Sequence, residues 1–215
     1  MRDPKSDRTG TPTIGPNART GRTGRTGRWL DVLWRLSATP MIVGLSILLW
    51  TGSVTLNNHV LFQWTSQEEY RHLIFLPAGV KLLLLMAFGW RGALGIALGM
   101  LTFLSTDLPK LSGVQLLFLS ALYAAVPSAV IWAFSRATGI DRPWTGLSQT
   151  NLLVLVVLVA VVSSIAFNAP LMVWGVVSDS GDAAAVASMI VGDLSGSFVL
   201  LATALGGRAL WRTAG

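Results

Sequence analysis

Two ionisable side chains interrupt stretches that are otherwise apolar. Lys81 stands in Val80-Lys81-Leu82-Leu83-Leu84-Leu85, and Asp193 in Ile190-Val191-Gly192-Asp193-Leu194. A charge surrounded by hydrocarbon is costly unless it is paired or hydrated, so such residues mark polar sites. An ammonium and a carboxylate at equal depth can pair or share a polar pocket. Two readings of such a pair stay open: a fixed ion pair joining two helices, or a site for a ligand, a proton or a coupling event. Pro77 and Gly79 lie just before Lys81. Inside a helix, Pro77 would remove one backbone hydrogen bond and crowd the carbonyl of Leu73. Gly79 would add flexibility, so a kinked helix beside Lys81 is expected, either as a site element or as a plain packing kink. Asn168 and Pro170 form a second polar spot, with Asn168 bonding to a neighbouring helix.

Other chemistries find little material. The chain has no cysteine and only two histidines, His59 and His72, which leaves no metal-ligand spacing. No Gly-rich phosphate loop ending in Lys-Ser/Thr occurs, nor do paired carboxylates within the apolar runs. The expectation is a protein that is not an enzyme and carries no metal and no cofactor.

The elements that must position Lys81 and Asp193 are membrane helices. Apolar residues make up 52% of the 215 residues and charged ones 12%, against about a quarter charged in soluble domains. A spanning helix needs about 20 mostly apolar residues. Runs of that kind lie near 40–58, 72–90, 91–107, 113–135, 151–174 and 184–205. They are too long and too uniformly apolar for barrel strands, so the fold class is an all-α integral membrane bundle of about six helices. The third run is short and follows the second after a tight turn at Trp90-Arg91-Gly92. The two form a helical hairpin, or one of them is broken or partly re-entrant. Counted nine residues into their runs, Lys81 and Asp193 fall roughly 14 Å deep, near the midplane. Gly95 and Gly99, and likewise Gly192 and Gly196, are small-xxx-small pairs that let helices approach closely.

Charge sets the orientation. With the N-terminus inside, thirteen Lys and Arg lie on the inner side, Arg71 and Lys110 on the outer, and Lys81 within a span. This is the positive-inside pattern, so N-in and C-in ends in a bacterial cytoplasmic (inner) membrane are expected. Residues 1–28 repeat Arg-Thr-Gly and have almost no apolar content. They read as a disordered basic cytoplasmic tail, whose Arg19, Arg22, Arg25 and Arg28 suit anionic lipid or a partner. No aromatic residues interleave those arginines, so nucleic-acid binding is not expected. Residues 29–39 read as an interfacial amphipathic segment, 40–207 as the transmembrane domain and 208–215 as a short cytoplasmic C-terminus.

Phe75-Leu76-Pro77-Ala78-Gly79-Val80-Lys81-Leu82-Leu83, running into Phe88-Gly89-Trp90-Arg91-Gly92-Ala93-Leu94-Gly95, resembles the bacterial membrane-associated sensor domain family of the first type. Gly192-Asp193-Leu194-Ser195-Gly196 resembles a later span of that family. The resemblance implies an all-helical membrane module that detects a signal, usually fused to a histidine kinase or a cyclic-di-GMP enzyme. Family members tend to have more spans, and an apolar residue is expected where Lys81 stands. With so little chain after the sixth run, a sensor of this kind would signal through separate partner proteins. Two other readings stand beside it. One is a non-catalytic accessory subunit or assembly factor of a larger membrane complex. The other is the substrate-binding subunit of a small-solute transporter.

Overall fold

The computed structural model describes residues 25–61, 66–68, 71–72, 74–140, 144, 146–176 and 182–213. The chain divides into two units, 1–37 and 38–215. In the first unit, the described backbone is helical from Arg25 onward, so the helix starts inside the stretch read from sequence as a tail. Arg19 and Arg22 lie outside the described residues, and of Arg25 and Arg28 only the backbone is described.

The second unit is a helical bundle. Its elements are α1 (ending at Leu56; Arg25–Leu56 in full), a π turn at Asn57–Leu61, α2 (Leu76–Phe88), α3 (Trp90–Asp107), α4 (Gly113–Thr138), α5 (Gln149–Val173) and α6 (Asp182–Thr213). Among the described residues, the exception to helix is a small antiparallel ribbon, β1 (Ser66–Glu68) with β2 (Arg71–His72). Among the described residues, four segments are long and apolar enough to cross a membrane: Ala38–His59, Gly113–Thr138, Gln149–Val173 and Val186–Thr203. Large apolar side chains face outward on these helices, among them Leu48, Leu117, Ile165 and Val191. A surface of that kind suits lipid rather than water.

Helix directions follow from contacts. A Cβ on Gly95 would meet Ser46 and Val43 of α1, and one on Gly99 would meet Trp50 and Thr51. Both residue numbers rise together, so α3 runs parallel to α1. The buried Asn57 at the end of α1 accepts a hydrogen bond from Leu76 N at the start of α2 (2.9 Å). Thus α2 runs back along α1 and is antiparallel to α3. One residue, Gly89, joins the two helices at φ 59°, ψ −129°, backbone that favours glycine. Gly92 then presses on the Leu84 carbonyl, where a Cβ would not fit. The pair is a helical hairpin. Its short member is α2, not the segment 91–107 singled out by sequence. The 13 residues of α2 span about 20 Å, well under the roughly 30 Å of a bilayer core.

Local signals set the ends of the longer helices. Ser112 and Gln115 form a reciprocal capping box at α4, and Ser148 caps α5 through Asn151 N (3.1 Å). Both supply acceptors to first-turn N–H groups that have no helical partner. Gly139 ends α4 at φ 67°, the left-handed stop that glycine adopts most readily. The core is filled by Trp50, Leu82, Leu85, Ile96, Leu119, Leu155 and Val156, all nearly inaccessible.

Candidate functional site

The start of α2 is built differently from a kinked span. Phe75 is its N-cap and Pro77 stands in its first turn. A first-turn proline costs nothing, because an N–H there has no helical partner. Pro77 therefore opens the helix, which corrects the expectation of a kink crowding the Leu73 carbonyl. The neighbouring donors are satisfied from outside the helix ladder. Leu76 N reaches Asn57 Oδ1, Phe75 N reaches Gly192 O of α6 (3.0 Å) and Ala78 N reaches Phe75 O (3.0 Å). Gly192 lies ten residues beyond Asp182, about 15 Å along α6. The α2 N-terminus is thus seated partway along α6 and at the end of α1, and Lys81 is five residues from that start rather than nine.

Lys81 and Asp193 meet there. Nζ lies 3.6 Å from Oδ2, with the two side chains 0% and 3% exposed. The Cα–Cβ bonds of a helix tilt toward its N-terminus, so the Lys81 side chain reaches back to Asp193, the neighbour of Gly192. The positive end of the α2 dipole lies at the same level and favours a carboxylate. The packing that allows this is tight. A Cβ on Gly196 would strike the Phe75 carbonyl, and one on Gly79 would approach Leu200 Cβ at 3.0 Å and Ser197 Cα at 3.1 Å. Gly79 is therefore a close-approach residue between α2 and α6 rather than a source of flexibility.

Aromatic residues complete the cluster. Lys81 Nζ stands 4.2 Å from the centroid of the Tyr123 ring, a cation–π contact. Tyr123 in turn meets Trp50 edge-on (5.7 Å) and Phe167 edge-on (5.6 Å). Several buried polar atoms here make no hydrogen bond: Trp50 Nε1, Lys81 Nζ, Tyr123 OH, Ser164 Oγ and both Asp193 carboxylate oxygens. Ser164 belongs with them by register. Asn168 of α5 touches Met189 of α6 (3.2 Å), so one turn further along these antiparallel helices Ser164 stands opposite Asp193. Asn168 itself lies a turn away and donates to the Ser164 carbonyl (2.8 Å).

Five helices thus bring donors and acceptors to one level with hydrogen-bonding capacity left over. Such a cluster can hold a small polar species, pass a proton, or lock helices with a few polar contacts. Sequence reading found Lys81 and Asp193 but not Trp50, Asn57, Tyr123 or Ser164. Of these, Tyr123 carried a signal, as one of two tyrosines in the chain and placed mid-run among apolar residues. His59 is exposed; the His72 side chain lies outside the described residues. Gly95 and Gly99 serve the α1–α3 contact, Gly99 against Trp50 of the cluster. No protein-family model, curated protein or solved structure matches the chain.

Proposed function

We propose that this chain is a sensor-like integral membrane module that acts through separate partner proteins. In this reading six helices of alternating direction lie in a bacterial inner membrane with both ends in the cytoplasm, the short α2 pairing with α3 as a hairpin. The observation that carries it is the buried Lys81–Asp193 pair, which ties the start of α2 to α6. A change at that pair would be felt by α6. That helix continues to Thr213. The alternating directions of α1, α2 and α3 support this arrangement, and the two short motifs around Lys81 and Asp193 support the likeness to membrane sensor domains.

The absence of cysteine makes spin labelling direct. Leu98→Cys on α3 and Val199→Cys on α6 report their separation in lipid nanodiscs. The reading expects Lys81→Met or Asp193→Asn to shift the distance distribution while the protein still accumulates. Unchanged distances in well-folded variants would reject it. If those variants instead lose a co-purifying membrane complex seen by native mass spectrometry, the chain is an accessory subunit.

A further inference from the structure

At the opposite end of the bundle from the charged cluster, an open cleft of about 190 Å³ lies between α2, α4 and the segment that follows α4. Leu85 and Gly89 form one wall, Ser128, Ile131 and Trp132 of α4 another, and Trp144 a third. Trp144 is held in an unusual way. Its φ is +68°, which a non-glycine residue seldom adopts, and its indole N–H donates to Met86 O in the last turn of α2 (2.9 Å). Strain of this kind persists only where the surroundings over-determine it, and it clusters at ligand sites. The cleft wall is therefore fixed rather than incidental.

The interior asks for an apolar occupant. The Ser128 hydroxyl donates to Ala124 O (2.7 Å), and that of Ser135, also in the lining, to Ile140 O (2.8 Å). The polar groups inside are thus already satisfied. The mouth asks for an anion. Trp132 is 62% exposed at the rim, and the Arg136 guanidinium carbon lies 5.1 Å from its ring centroid. A cation beside an exposed Trp, next to a satisfied apolar cleft, matches an amphiphile with an anionic head and a hydrocarbon tail. An apolar cavity of about 150 Å³ accommodates benzene, so this one takes a short stretch of acyl chain.

We propose that the cleft binds one phospholipid from the leaflet at the Gly89 end, its acyl chain against Leu85 and Ile131 and its phosphate against Arg136. The proposal rests on α4 crossing the membrane and not on the sensor reading. The test is native mass spectrometry of the full chain in mild detergent micelles containing phosphatidylglycerol. One lipid per chain should stay bound. Arg136→Gln, a surface change, should weaken retention about fivefold, the loss of one basic residue near the headgroups. Ser128→Phe should fill the cleft and abolish retention. Lys110→Gln, an exposed cation outside the cleft, should leave it unchanged. Equal retention in wild type, Arg136→Gln and Ser128→Phe would mean ordinary annular lipid and overturn the proposal, as would a wild-type chain that retains none.

Discussion

Removing one charge of the Lys81–Asp193 pair should be far worse than removing both. Nζ and Oδ2 are 3.6 Å apart and inaccessible. At an effective dielectric of about 20, that separation corresponds to an attraction of about 4–5 kcal/mol. Lys81→Met leaves a carboxylate buried among Tyr123, Ser164 and apolar side chains, and Asp193→Leu leaves a buried ammonium. Breaking a buried pair from one side costs about 3–5 kcal/mol, whereas replacing both partners by apolar residues of similar volume is often neutral. The double variant Lys81→Met/Asp193→Leu should therefore lose at most about 1 kcal/mol. Unfolding in mixed micelles, followed by far-UV circular dichroism, supplies the four corners of a double-mutant cycle. The reasoning fails if the double variant loses the sum of the two single losses. That result would mean that the two charges are stabilised by other groups and not by each other.

Substitutions at four further positions can be read by the same unfolding assay. Gly196→Ala places a methyl against the Phe75 carbonyl and should lose about 1–3 kcal/mol through overpacking. Gly44→Ala, with open space around it, should gain up to about 1 kcal/mol, the usual helix-interior preference. Asn57→Leu strands the N–H of Leu76, which it accepts at 2.9 Å, and should cost about 1–3 kcal/mol. Tyr123→Phe keeps the ring over the Lys81 ammonium and should be nearly silent. Tyr123→Leu removes the ring and should lose about 2 kcal/mol or more. Equal losses in the two Tyr123 variants would show that the hydroxyl, not the ring face, holds the ammonium.

Much of this fold is readable from hydrophobic run length. The segments near 40–58, 113–135, 151–174 and 184–205 correspond closely to Ala38–His59, Gly113–Thr138, Gln149–Val173 and Val186–Thr203, because a long apolar run in lipid has helix as its outlet. The second run misleads for a physical reason. Apolarity alone does not reveal where a helix begins when its first N–H groups are satisfied from other helices. Asn57 is 19 residues from Leu76, and Gly192 is more than a hundred from Phe75. No local pattern shows that Pro77 opens the helix rather than bending it. Lys81 and Asp193 stand out because charge is rare in such runs. Tyr123 and Trp50 do not, because aromatic residues suit apolar packing whether or not they face an ammonium.

The short length of α2 and the burial of two charges are connected. A helix N-terminus placed about 15 Å along α6 carries unsatisfied N–H groups and a partial positive charge. Asn57 and the Gly192 carbonyl satisfy the donors, and the Asp193 carboxylate lies at the level of the positive end. Asp193 then needs more than a dipole to remain charged, and Lys81 supplies it from the second turn of α2. Glycines at 79 and 196 bring the backbones close enough for these contacts to form together. Every one of these attachments falls within the first two turns of α2, on α1 or α6. Gly92 and Trp144, the latter at Met86, also hold the far end of α2. A displacement of α6 along its axis would therefore strain the start of α2. That arrangement makes the Lys81–Asp193 contact the point where motion of α6 and the integrity of α2 are coupled.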